Sequence, residues 1–282
     1  MDLTQYDVIL INTSAGKDSL AMLDYVYGMA VDQGVAERVE AVHCDLGRVE
    51  WKGTKALAQE QCDKYGVPMY VVSRPQGDLL HQAEFERGKW PDSGNRWCTS
   101  DQKRGQVEVL ITALTNEFIM ENLSAGLNKP GNINSRYKGR PVRILNCMGL
   151  RAEESPKRAE KPVLEVNTRV SNGRRTVENW LPIQAWSEVE VWAYIREKGL
   201  KYHFAYDLGM PRLSCVFCIF APPEALLLAG YHNPELLDEY VGAEKRMNHT
   251  FKAKLSLVQI QDKLKDGYVP KAVAAEMWPQ CA

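Results

Sequence analysis

A doubly wound α/β fold, with a mostly parallel sheet and a helical C-terminal extension, is predicted by three features of this 282-residue chain. Short apolar runs alternate with segments of helical spacing as far as residue 146, a small-residue turn joins the first run to the first helix, and the last stretch carries helical patterns only. In such sheets ligands bind outside the carboxyl ends of the strands. The first strand is predicted at Asp7-Val-Ile-Leu-Ile-Asn12 and the first helix at about 17–32, with Ser14-Ala15-Gly16-Lys17-Asp18-Ser19 between them.

That turn has the chemistry of an anion site. Small residues let the backbone approach a ligand, and N–H groups at a helix start favour negative charge. Lys17 adds a mobile cation, the hydroxyls of Ser14 and Ser19 can donate, and Asp18 can cap the helix or hold a divalent metal. Phosphate is the expected guest. The longer Walker A glycine loop is absent.

Further strands are expected at 39–45, 69–73 and 142–146, with helices at 51–65, 78–90 and 103–122. Asp45 ends the second strand, where its carboxylate would serve either a ribose or base hydrogen bond or an ordinary turn. The 126–141 stretch is polar and reads as an insertion. A boundary near 160–175 divides a nucleotide-binding α/β portion (1–165) from a C-terminal portion (166–282) expected to pack on it. Beyond it come a short extended piece at 179–183, a capping box Ser187-Glu-Val-Glu190 opening a helix at 189–198, and helices at 222–231, 234–248, 256–266 and 270–277.

Composition narrows the function class. Lys+Arg total 35 against 36 Asp+Glu, which excludes a global basic field for nonspecific nucleic-acid binding. No basic leader opens the chain and no apolar run reaches membrane-span length, so a cytoplasmic, soluble protein without membrane association is expected. Seven cysteines in that setting read as thiols, redox groups or metal ligands rather than disulfides. Cys215-x-x-Cys218 is the informative pair, and Cys98, beside Arg96 and Lys103, is the leading distant partner for an iron-sulfur cluster. A structural zinc or two packed thiols is the other reading. Cys147 ends a core strand, Cys44 and Cys62 read as incidental, and Cys281 lies in the terminal segment.

The turn at Ser14–Ser19 resembles the PP-loop of ATP pyrophosphatases, with Ala15 in place of the first glycine, a change expected to be tolerated if Ala15 keeps a negative φ. Together with Asp45, Arg96-Trp-Cys98-Thr-x-x-x-Lys103, Gly149-Leu-Arg151-x-x-x-Ser155-x-x-Arg158, Pro182-Ile-x-x-Trp186-Ser187-x-x-x-Val191-Trp192 and Cys215-x-x-Cys218, it resembles the phosphoadenosine phosphosulfate (PAPS) reductase-like family over residues 7–220. The resemblance implies an adenine-nucleotide α-hydrolase fold, ATP with Mg²⁺ on the loop, and Gly149, Arg151, Ser155 and Arg158 near the substrate anion. It also implies Cys98, Cys215 and Cys218 on a [4Fe-4S] cluster. Members of the family include sulfonucleotide reductases, the ATP sulfurylase small subunit and thiolation enzymes.

Departures from the reductase branch direct the expectation. Assimilatory reductases carry Glu-Cys-Gly-(Leu/Ile)-His near the C-terminus, where this chain reads Pro-Gln-Cys281-Ala282, and cluster-bearing ones carry Cys-Cys where this chain has Cys98-Thr99. Those reductases lack a well-formed PP-loop, whereas Lys17-Asp18-Ser19 is intact here. The expected activity is therefore an ATP pyrophosphatase that adenylates an acceptor, a nucleic acid or a small molecule, for sulfur transfer. A PAPS or adenosine phosphosulfate (APS) reductase is the alternative. A non-catalytic nucleotide-binding subunit is the second alternative, and a homodimer or larger complex is compatible with each.

Overall fold

The computed structural model describes residues 1–124 and 141–277, so most of the 126–141 insertion and Cys281 lie outside the described residues. The described chain runs β1 (Val8–Thr13), α1 (Lys17–Asp32), β2 (Val39–Cys44), α2 (Thr54–Asp63), β3 (Met69–Val72), the single turns α3 (Leu79–His81) and α4 (Trp97–Thr99), then α5 (Gly105–Ser124). It continues through β4 (Val142–Met148), α6 (Pro156–Ala159), β5 (Leu164–Val166), β6 (Arg175–Trp180) and α7 (Glu188–Glu197). The last helices are α8 (Pro223–His232), α9 (Pro234–Met247), α10 (Leu257–Lys265) and α11 (Lys271–Met277).

Four elements depart from expectation for local reasons. The helix predicted from 51 starts at Thr54, because Gly53 at φ +85° holds Trp51–Gly53 in a turn. The helix predicted over 78–90 is one α turn followed by a π turn at Gln82–Arg87, and a second π turn at Ser100–Arg104 precedes α5. The extended piece expected at 179–183 is the end of β6, which begins at Arg175 after the Ser171-Asn-Gly turn. The three-residue strand β5 was not predicted; its Leu164 and Val166 are exposed, so no buried alternation marks it.

By contacts the chain forms two compact units with interleaved sequences. The first comprises Met1–Cys44, Lys55–Val72 and Gly105–Tyr202, and the second Asp45–Thr54, Ser73–Arg104 and the chain from His203. The first holds a six-stranded sheet in the order β3-β2-β1-β4-β6-β5, parallel throughout except for β5 against β6. Alternation along β1 sends Ile9 and Ile11 to one face, where Met22, Leu23 and Val26 of α1 cover them, and Val8 and Leu10 to the other, against Val107, Leu110 and Leu114 of α5. Helices on both faces of a largely parallel sheet make this the doubly wound class. Val191 and Ile195 of α7 pack on Leu20 and Ala21 of α1. Asp24 of α1 accepts hydrogen bonds from Tyr194 Oη of α7 (2.6 Å) and from Tyr65 Oη just beyond α2 (2.5 Å).

The second unit is built on α8, α9 and α10. Trp90 stacks on Tyr240 with ring centroids 5.2 Å apart and donates Nε1–H to the His249 carbonyl at 3.0 Å. The buried Glu244 carboxylate accepts the amides of Phe251, Leu257 and Val258, satisfying donors that the loop and the start of α10 would otherwise leave unpaired.

One half-buried carboxylate works against stability. Burial, reinforced by Glu117 and Glu121 of α5, pushes the Glu40 carboxyl on β2 up to about 7, and its Oε2 is buried without a hydrogen-bond partner. The folded state therefore holds a proton that the unfolded chain releases near its ordinary carboxylate pKa of 4.5, so stability falls as pH rises from about 4.5 through about 7. Glu40→Gln is expected to raise the unfolding free energy at pH 8 by about 2 kcal/mol and to leave it unchanged at pH 4, read by urea unfolding.

Candidate functional site: a phosphate loop and a thiol cluster

In the first unit, β1 delivers the chain to Ser14–Gly16 and α1 begins at Lys17. Ala15 sits at φ +57° and is fully buried, which corrects the expectation of a negative φ. The reversal from strand to helix in three residues demands the left-handed conformation, at a cost of about 1 kcal/mol for a residue with a Cβ. Ser19 secures the loop by accepting the Ser14 amide at 3.2 Å and donating to the Gly16 carbonyl at 3.0 Å. Gly16 at the N-cap offers no side-chain oxygen, so the 16-residue helix starts without a side-chain cap.

Lys17 is buried, with Nζ 3.5 Å from Asp18 Oδ2 and 3.3 Å from Glu188 Oε1 at the start of α7. Asp18 Oδ1 accepts from Arg151 Nε at 2.6 Å, and Arg151 Nη1 reaches Glu153 Oε2 at 2.6 Å. Burial opposes the Arg151 charge, but these carboxylates outweigh it and hold its pKa above the ordinary value. Arg158 pairs with Glu154, whose Oε2 also accepts the Arg151 amide at 3.0 Å, and Ser155 opens α6 without a side-chain cap. Of the three expected cations, Lys17 and Arg151 meet at Asp18, while Arg158 is joined to Arg151 only through Glu154. With them come the carboxylates Glu153, Glu154 and Glu188, which the sequence analysis did not single out. Glu188 was legible only as part of the capping box, and Glu153 caps the same helix by accepting the Glu188 amide at 2.7 Å.

Gly149 explains how Arg151 arrives there. A Cβ at residue 149 would lie 3.1 Å from the Asp18 carbonyl carbon and oxygen and 3.2 Å from the Ser19 nitrogen, all backbone atoms of α1. Asp45 stands in the second unit, and its Oδ1 accepts the Gly47 amide at 2.9 Å, the turn arrangement weighed above.

The second unit carries the three expected thiols. Cys98 lies in α4, and Cys215 pairs across a single β-bridge with Glu50, fixed by the Val216 amide on the Val49 carbonyl at 2.8 Å. Cys218 opens a turn closed by the Ala221 amide at 2.9 Å. Cys98 and Cys215 pack against the apolar core of this unit. Burial pushes the Cys215 thiol up to about 12 and raises that of Cys98; Lys103 pulls both down, and each responds to the charge of Cys218. Among the described residues no three Cys, His, Asp or Glu side chains already converge as a metal-binding group. The three thiols lie within one another's field, beside Lys103 and the apolar core of this unit. Cys147 is wholly buried in β4, where burial drives its thiol far up, and Cys62 is likewise pushed to about 12. Next to Cys98, a cavity of about 380 Å³ is lined by Asn95, Arg96, Trp97, Thr99, Ser100 and Arg104.

Two outcomes are expected. Gly149→Ala forces α1 and the β4 exit apart and lowers stability by about 1–3 kcal/mol in urea unfolding. Cys215 of the metal-free protein reacts with iodoacetamide at pH 8 at least about tenfold more slowly than a free thiol, because only the thiolate attacks; peptide mass mapping over time reads this.

Among the described residues no helix is long and apolar enough to cross a membrane. The model of the phosphoadenosine phosphosulfate reductase domain matches residues 8–221, more than half of the chain. An adenosine 5′-phosphosulfate reductase of Staphylococcus epidermidis is 34% identical over 211 residues, covering 74% of this chain and 70% of that protein. An uncharacterised protein of Methanocaldococcus jannaschii is 25% identical over 210 residues, covering 74% of this chain; the chain spans 36% of that protein's length. The crystal structure of the PAPS reductase from Candida auris in its phosphate complex aligns with 76% of this chain and 83% of that one, at a TM-score of 0.45 and 16% identity. The extent of the family match, together with the sheet and the loop just described, makes this chain a member of the phosphoadenosine phosphosulfate reductase domain family.

Proposed function

We propose that this protein is an ATP pyrophosphatase that adenylates an acceptor oxygen and so prepares that position for sulfur. The observation that carries the reading is the intact Lys17-Asp18-Ser19 at the uncapped start of α1. A sulfonucleotide reductase has no pyrophosphate to bind, whereas this loop offers first-turn amides, a buried lysine and a neighbouring carboxylate. The acceptor oxygen attacks the α-phosphorus of ATP, the bond to the bridging oxygen breaks, and pyrophosphate leaves with the electron pair. AMP then makes the acceptor oxygen a good leaving group.

This chain's residues each have a part in that step. The amides of α1's first turn and Lys17 Nζ neutralise the β- and γ-phosphates, and Asp18 holds the divalent cation that accompanies ATP. Glu188 gives up Lys17 to the phosphates. Arg151 fixes Asp18, and Arg158, more exposed than Arg151 and paired with Glu154, would bind the acceptor or the α-phosphate. Cys98, Cys215 and Cys218 would hold an iron-sulfur cluster, which when bound supplies sulfur or electrons.

A specific observation favours a second reading: the 34% identity to an APS reductase over 211 residues. One assay separates the two. Anaerobically purified protein is given Mg²⁺-ATP with pyrophosphate as readout, and APS or PAPS plus thioredoxin with sulfite as readout. Pyrophosphate from ATP is expected, reduced about 10²-fold or more by Lys17→Ala. Sulfite without pyrophosphate moves the protein to the reductase reading, and ATP binding without either product moves it to a nucleotide-binding subunit. Absorbance near ~400 nm, lost in both Cys98→Ala and Cys215→Ala, is expected for the cluster.

A further inference from the structure

Three strands of the sheet carry an asparagine at their fifth residue: Asn12 on β1, Asn146 on β4 and Asn179 on β6. All three continue the face that holds Val8, Leu10, Ile144 and Val177, so the apolar rows of that face end in amides toward the carboxyl ends of the strands. The amides form one directed chain. Asn12 Nδ2 donates to Asn146 Oδ1 at 2.7 Å, Asn146 Nδ2 to Asn179 Oδ1 at 2.9 Å, and Asn179 Nδ2 reaches Glu165 Oε1 of β5 at 3.5 Å. Asn12 Nδ2 donates a second time, to the Cys147 carbonyl at 2.9 Å, and Asn167 Nδ2 also approaches Asn179 Oδ1 at 3.4 Å.

The direction has a cause. A carboxylate only accepts, so Glu165 orients the Asn179 amide with its nitrogen outward, and each successive amide follows. Across three strand spacings, about 14 Å, the polarity ends on Asn12, whose oxygen is unused among the described residues. Asn12 is only partly buried, both its bonds are made through nitrogen, and two residues later the phosphate loop begins.

We propose that Asn12 Oδ1 is a ligand-facing acceptor, held in that orientation by the Asn146–Asn179–Glu165 chain, and that it selects a phosphate-bearing ligand whose nucleoside part presents an O–H or N–H donor. This rests on the nucleotide reading of the loop given above. Asn12 contacts the ligand, whereas Glu165 is a positioning residue.

The test measures, by isothermal titration, dissociation constants of ATP and of inorganic pyrophosphate for wild type, Glu165→Gln and Asn12→Ala. Glu165→Gln sits at the sheet edge and preserves shape, but its amide also donates and no longer imposes one direction on the chain. The expected result is about 5–10-fold weaker ATP binding in each variant with pyrophosphate affinity unchanged, a ratio that a merely structural role would not move. In wild type, 2′-deoxy-ATP and inosine triphosphate separate the two donor sources. The one lacking the recognised hydroxyl or amine binds more weakly and is insensitive to Asn12→Ala. ATP binding by wild type with unaltered affinity in both variants, or an equal loss for ATP and pyrophosphate, overturns the acceptor role alone. Failure of wild type to bind either ATP or pyrophosphate overturns the nucleotide reading and this proposal together.

Discussion

The β4 exit runs so close to the Asp18–Ser19 peptide of α1 that residue 149 has no room for a side chain, and the arrangement of the loop follows from that approach. With no side chain at Gly149, the chain beyond β4 passes within van der Waals reach of Asp18 and Ser19, and two residues later Arg151 is close enough to bond Asp18 at 2.6 Å. An arginine this buried is tolerable only because three carboxylates surround it, and removing one partner of such a pair costs several kcal/mol. Gly149 and Arg151 therefore act as one device, the first allowing the approach and the second locking it.

The electrostatics of the loop follow. Without a ligand, Lys17 leans on Asp18 and Glu188, so its charge is balanced rather than bare. On the proposed reading, a polyphosphate displacing Glu188 would exchange one exposed, solvent-screened carboxylate for several phosphate oxygens backed by helix amides. The thiols of the second unit answer to different physics. Burial raises the thiol pKa of both Cys98 and Cys215, and Lys103 works against it at each.

Most of the sheet was legible because period-two and period-3.6 patterns are long there: α1 at 17–32 and the four C-terminal helices fall where spacing and caps place them. Ser187 with Glu190 forms the capping box that its spacing implied. Elements without such signals escaped. β5 is short and exposed, and the π turns differ from α turns by a single shifted hydrogen bond that no residue pattern announces. At the loop, the expected cations were visible as a motif, but Glu153 and Glu188 looked like ordinary helix-start acids until the fold set them beside Arg151 and Lys17. Ala15 illustrates the opposite failure, since its composition gave no warning that the turn needs a positive φ. The fifth-position asparagines were in plain view, yet only strand register turns them into a connected row.

The interleaving of the two units has a consequence for how the chain is made. The sheet-bearing unit is complete once residue 202 has left the ribosome, whereas residues 45–54 and 73–104 belong to a unit whose remaining part begins at 203. Leu79, Leu80, Trp90 and Trp97, all buried in the finished protein, therefore wait in the open until α8–α10 have been synthesised to cover them. During that interval the nascent protein exposes aromatic and leucine-rich surface from the middle of its own sequence. Pausing of translation before residue 203 would prolong that exposure.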